Sequence, residues 1–276
     1  MTDTTNTLVP RNPVAVANKA LQASATFWFI VAASGLWVFV FYVAAYYIAP
    51  GLLGGLPAWS ELRLPDDANV YTAGDGGRNI AMAAHLFVAV IVMGGGILQL
   101  IPQIRTRFAA FHRWNGRIYI VTAISTSLAG LYMVWIKETN SENVVGHISI
   151  SLDGVLIIIF AVLTMRYAIA GHINVHRRWA LRLFMVVNAV WFLRIGVMLW
   201  FLIFAGPTPY FGIFFKVWGF GQYLLPLAVL ELYFRAKRSA GTRGKFAMAG
   251  GLVFLTIVMG IGIVMATMGM WLPRIG

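Results

Sequence analysis

The stretch Ile80–Ile101, IAMAAHLFVAVIVMGGGILQLI, carries one histidine and no formally charged side chain. An α-helix of that length covers ~33 Å at ~1.5 Å per residue, enough to cross ~30 Å of hydrocarbon. Working outward, the same reading applies to Phe27–Ile48, Ile118–Ile136, Val145–Ala168, Ala180–Phe204, Phe211–Tyr233 and Phe246–Met268. The pattern predicts an all-α polytopic membrane protein of about seven transmembrane helices. Its transmembrane domain is expected over residues 27–268, after an N-terminal segment 1–26. A loop over 50–79 and a tail over 269–276 lie on the far side. Residues 1–26 are polar and mixed rather than built like a signal peptide, so the first apolar run is expected to be retained.

Composition agrees. Hydrophobic residues make up 60% and charged residues 11%, with a mean hydropathy of +0.78. A soluble domain carries roughly a quarter charged residues, so this chain lacks the means to clothe a water-facing surface. It has no cysteine, which removes disulfides, thiolate metal sites and iron–sulfur clusters. The net charge of +12 is spread over short loops between apolar runs, so nucleic acid is not an expected partner; the lipid bilayer is. One set of loops, from Arg11 and Lys19 through Arg105–Arg117 and Arg166–Arg182 to Arg235–Lys245, holds 15 of the 21 Lys and Arg residues. The opposite set holds five, with Arg63, Arg78, Lys137, Lys216 and Arg274, and most of the acids. The positive-inside rule then puts the N-terminus in the cytoplasm and the C-terminus outside a bacterial inner (plasma) membrane. In the outer loop, GLLGGLPAWSELRLP is expected to lie at the interface with Trp59 at headgroup level.

Two helix starts on the basic side resemble each other. His112-Arg113-Trp114-Asn115-Gly116-Arg117-Ile118-Tyr119 parallels His176-Arg177-Arg178-Trp179-Ala180-Leu181-Arg182-Leu183-Phe184. Each follows a helix with a histidine near its outer end, His85 or His147, so residues 80–204 read as a duplicated helical hairpin, a repeated four-helix core. All five histidines (His85, His112, His147, His172 and His176) fall there. An outer pair, His85 with His147, and an inner cluster with His112 and His176 match what b-type haem requires, imidazole nitrogens from two helices on opposite faces of one iron.

Two charges lie deep in apolar runs: Asp153 in HISISLDGVLII and Arg194 in NAVWFLRIGVMLW. An intramembrane charge costs at least ~2.5 kcal/mol on insertion scales and usually finds a partner. Asp153 and Arg194, at similar depth, are therefore expected to form an ion pair, with Arg194 also placed to hold a haem propionate or another anionic ligand near His85. Glu231 is expected to pair with Arg235 one turn on, and Gly94-Gly95-Gly96 to admit a neighbouring helix. No phosphate-binding glycine loop, nucleophile elbow or His-Glu-x-x-His zinc motif is present, and no catalytic residue emerges.

The stretches His85–Gln99, His112-Arg-x-x-Gly116-Arg117-x-Tyr119, His176-x-x-Trp179-x-x-Arg182 and Arg194-Ile195 resemble the bacterial membrane-protein family catalogued as domain of unknown function 2306. The resemblance covers about Asn79 to Arg235. It implies a polytopic membrane fold and no particular activity. In layout alone the paired histidines are also similar to transmembrane di-haem cytochromes b, although here they lie nearer the helix ends. The sequence thus points first to a haem-binding membrane electron-transfer or redox protein with an outward-facing site and a redox partner. A haem-free binder or transporter of a small molecule, and a structural accessory subunit, are the alternatives.

The basic-residue count makes a direct prediction. A reporter fused after Gly276 should behave as external and one inserted within Ser239–Gly244 as cytoplasmic; a cytoplasmic C-terminal reporter would contradict the seven-helix topology.

Overall fold

The computed structural model describes residues 12–62, 70–132, 134–135 and 144–275. Arg11, Arg63, Asp66, Asp67, Lys137, Glu138 and Glu142 lie outside the described residues. Every regular element described is helical. In chain order they are α1 (Pro13–Val43), which runs through a π-helical turn (Ala44–Ile48) into α2 (Ala49–Gly54); a 3-10 turn (Leu56–Glu61); α3 (Gly76–Leu100), α4 (Pro102–Arg107), α5 (Ala109–Tyr132), α6 (Val144–Ile169), α7 (Ile173–Val187), α8 (Ala189–Phe204), α9 (Phe211–Ser239), α10 (Thr242–Ala266) and, after another π turn (Thr267–Trp271), α11 (Leu272–Ile275).

Local chemistry sets the ends. Asn12 accepts a bond from the Val14 N–H at 3.0 Å ahead of Pro13, so α1 begins 14 residues before the expected Phe27. Asp75 caps Arg78 N–H at 2.9 Å. Pro102 ends α3, and Gly171 at φ 74° ends α6 in the left-handed conformation glycine tolerates. Residues 269–275, expected as a tail, remain helical.

Five helical segments are long and apolar enough to cross a membrane, and the α7–α8 pair makes a sixth if its two halves form one span. Their outward faces are apolar: Ile203, Val217 and Phe254 are each at least 65% exposed, as expected where the surroundings are lipid. The expected third span is α5. It has 24 residues but is more polar, because His112, Arg113, Asn115 and Arg117 open it and hydroxyls run through it. Those hydroxyls are satisfied within the helix: Thr122 donates to Ile118 O at 2.7 Å, Thr126 to Thr122 O at 2.8 Å and Ser127 to Ala123 O at 2.9 Å.

The helices divide into two packed groups. α1 and α10 run parallel from end to end, with Lys245 Nζ donating to Asn18 Oδ1 at 2.7 Å at one end and the Trp271 and Phe39 rings 5.1 Å apart at the other. With α8 they bury Leu36, Phe39, Trp191 and Ile263. The second group, α3, α5, α6, α7 and part of α9, buries Val92, Tyr119, Leu183, Val186 and Tyr223. The expected fifth span, Ala180–Phe204, is not one straight helix. It breaks at Asn188 (φ −94°, ψ 14°) and the halves diverge by 52°.

The glycine run does admit a neighbour. Asn115 Nδ2 donates to Gly95 O at 2.9 Å, and a Cβ on Gly96 would stand 2.9 Å from Tyr119 Cε2. Between membrane helices packing of this kind supplies much of the association energy. Gly96→Val should therefore destabilise the protein by ~1–3 kcal/mol in detergent unfolding. Gly250→Ala, where a Cβ meets nothing within 4 Å, should be neutral or slightly stabilising.

Candidate functional site

The two helical groups do not close on each other at the Arg-rich face. A cavity of about 1250 Å³ lies between them there. Its walls are largely apolar, with Phe29 from α1, Tyr119 from α5, Phe184 from α7, Trp218 and Tyr233 from α9, and Met259 from α10. Arg105, Arg113, Arg117, Arg177, His112 and His176 are also among its lining residues, with Gln99 and Gln103. Among the described residues no Asp or Glu lines it. The nearby acid Glu231 is held elsewhere: Arg182 Nε donates to its Oε1 at 2.7 Å. The expected Glu231–Arg235 pair gives way to this contact because α7 packs against α9.

Two histidines come together here. His176 Nδ1 lies 2.9 Å from Thr164 O. A carbonyl only accepts, so Nδ1 is the donor in this contact and the ring's orientation is fixed by it. His112 stands within electrostatic reach of His176 and of Arg105 and Arg113, and its Nδ1 is buried with no hydrogen-bond partner. Its backbone is fixed by α3, since Gln99 Nε2 donates to His112 O at 2.9 Å. His172 instead occupies the N-cap position of α7, without a side-chain capping bond, and tilts its ring against Tyr167 at 6.3 Å.

The related helix starts share a local device. Arg117 lies over Trp114 at 4.9 Å and Arg182 over Trp179 at 4.4 Å, a cation–π stack three residues apart in each. Beyond it they diverge, for α5 continues unbroken while α7 ends at Asn188.

The other expected site residues stand at the opposite end. His85, on α3, stands within electrostatic reach of Arg194. His147, buried in α6, meets Trp135 edge-on at 6.0 Å. Among the described residues α3 packs mainly on α1 and α5, and α6 on α5, α7 and α9. The same geometry removes the Asp153–Arg194 ion pair. After the bend at Asn188, α8 packs on α10 and α9, away from α6. Arg194 instead donates to Val190 O at 3.1 Å and lies over the Phe39 ring at 5.0 Å. Asp153 Oδ1 is buried without a hydrogen-bond partner. Trp59 is 3% exposed and donates to Tyr47 O at 2.7 Å, so it packs onto the chain. No cluster of three or more His, Asp or Glu side chains suited to a metal ion occurs among the described residues.

The family described as "Predicted membrane protein (DUF2306)" matches residues 82–234, more than half of the chain. The chain belongs to that family. The DUF2306 region holds both cavity histidines, the four rim arginines and Arg194, whereas α1 and α10, which complete the cavity wall, lie outside it. No curated protein and no solved structure matches the chain. Sequence reasoning found the rim residues but missed the cavity; Asn188 inside an apolar run was the available signal for the bend behind it.

Since Asp153 and Arg194 do not touch, the effects of Asp153→Asn and Arg194→Gln on unfolding should add within ~0.5 kcal/mol. Arg182→Gln with Glu231→Gln should instead show coupling of about 0.5–1 kcal/mol, the modest value expected of a half-exposed pair. Double-mutant cycles measure both.

Proposed function

We propose that this DUF2306 protein crosses the membrane seven times, α5 and the bent α7–α8 unit included, with its Arg-rich face in the cytoplasm. At that face it binds an amphipathic anion. One observation carries the reading: a largely apolar cavity of about 1250 Å³ lined by four arginines and two histidines and, among the described residues, by no acid. An apolar body would replace the lipid or water otherwise filling the hollow, and one or two acidic groups would neutralise guanidiniums that have no carboxylate on the cavity lining.

Haem b is the member of that class to test first. Arg105, Arg113, Arg117 or Arg177 would hold its propionates, and His176, whose Nδ1 is engaged by Thr164 O, and His112 would offer imidazole nitrogens to its iron. When bound, haem would supply one-electron chemistry; the chain's own contribution would be to orient the macrocycle and bring its acidic groups to the cytoplasmic rim. The inner pair is preferred here to the outer pair, because His112 and His176 line the cavity and neither His85 nor His147 does. A haem-free transport reading draws on the bend at Asn188, since broken helices are common around transporter sites.

The optical spectrum of purified protein tests this. A Soret band lost in both His112→Ala and His176→Ala, and retained in His85→Ala and His147→Ala, is the expected result. A colourless protein, or a band unaffected by the inner variants, would overturn the haem assignment.

A further inference from the structure

A second charged site lies at the other end of the bundle, and it owes nothing to the cavity. Arg194 on α8 and Arg274 on α11 stand within electrostatic reach of each other and of Tyr42 at the end of α1 and Tyr47 in the π turn that follows. Arg274 Nη1 donates to Tyr42 Oη at 3.1 Å, and the two phenol oxygens are 3.5 Å apart. His85 closes the α3 side with its Nδ1 buried and without a hydrogen-bond partner. From the loop between α2 and α3, Trp59 ties itself to Tyr47 O.

What is missing from this group is an anion. Neither guanidinium meets a carboxylate among the described residues. Arg194 gains the face of Phe39 and one backbone carbonyl. Those contacts offset part of its desolvation but leave the full charge in place, and the second guanidinium adds to it. Arg274 donates to Tyr42 Oη and so leaves that hydroxyl's own proton to donate elsewhere. Two guanidiniums with phenol donors beside them form the recognition chemistry of a tetrahedral oxyanion, which accepts several charge-assisted bonds at once and can carry two charges.

We propose that Arg194, Arg274, Tyr42 and Tyr47, with His85 at the edge, bind a phosphate-class oxyanion. Soluble phosphate and an anionic phospholipid headgroup share that chemistry. Either one completes a charge balance that the described residues leave open.

The test uses the full-length protein in maltoside micelles free of phosphate and lipid, with melting followed by tryptophan fluorescence. Inorganic phosphate is titrated in one arm and phosphatidylglycerol in the other. A saturable rise in melting temperature in either arm, flattened in the Arg194→Gln/Arg274→Gln double variant and partly kept in Arg194→Lys, is the expected result; the arm that responds names the source. Without oxyanion, Arg194→Gln should melt at or above the wild-type temperature, because it removes an uncompensated cation. If the double variant does not fold, Arg274→Gln alone, on the terminal helix, should raise the half-saturating concentration at least tenfold. No response in either arm, or an equal response in these variants, would overturn the proposal. Neither arginine lines the cavity, so this outcome is independent of the spectrum expected there.

Discussion

The bend at Asn188 is the constraint on which the rest of the bundle depends. Asn188 is 1% exposed and donates through Nδ2 to Phe184 O at 2.7 Å. It occupies the last turn of α7 with a side-chain bond while the backbone changes direction by 52°. α7 therefore stays with α5, α6 and α9, and α8 crosses to α10. α8 thus shares a core with α1 and α10 while α7 contributes to both of the larger cores, and the Arg-rich ends of the two groups stand apart. The cavity is the space that this leaves.

Close contacts then hold α8 in its new position. Trp218 of α9 lies against Gly196 and donates to Leu193 O at 3.2 Å, and Gly262 of α10 lies against Ile195. Between helices in lipid little hydrophobic force favours association, so small residues that admit a neighbour matter more than added apolar area. Because α8 is fixed here, Arg194 faces α1 and the end of the chain rather than α6.

The membrane fold was legible in the sequence because its signal is composition over a window, which tertiary context does not overrule. The resemblance around His112 and His176 was legible too, since each arginine–tryptophan stack is a local contact three residues apart. The Asp153–Arg194 pair failed for a physical reason. Counting residues from helix ends gives depth but not azimuth, and the bend rotated Arg194 away from a partner at similar depth. Asn188 itself resembled any polar residue in an apolar run. The anion-poor group at Arg194 was beyond reach because Tyr42 and Arg274 are 232 residues apart and meet only through the parallel packing of α1 and α10.

A chain with 21 basic and nine acidic residues leaves many cations to be balanced by water, lipid or ligand. The account's central claim is that a retained amphipathic anion balances those at the cavity. Native mass spectrometry of protein extracted gently from the membrane tests it most directly. The account predicts a discrete added mass of an acidic amphipath that is lost when the four rim arginines are changed to glutamine. The mass of the bare chain alone, or an adduct that persists without those arginines, would contradict it.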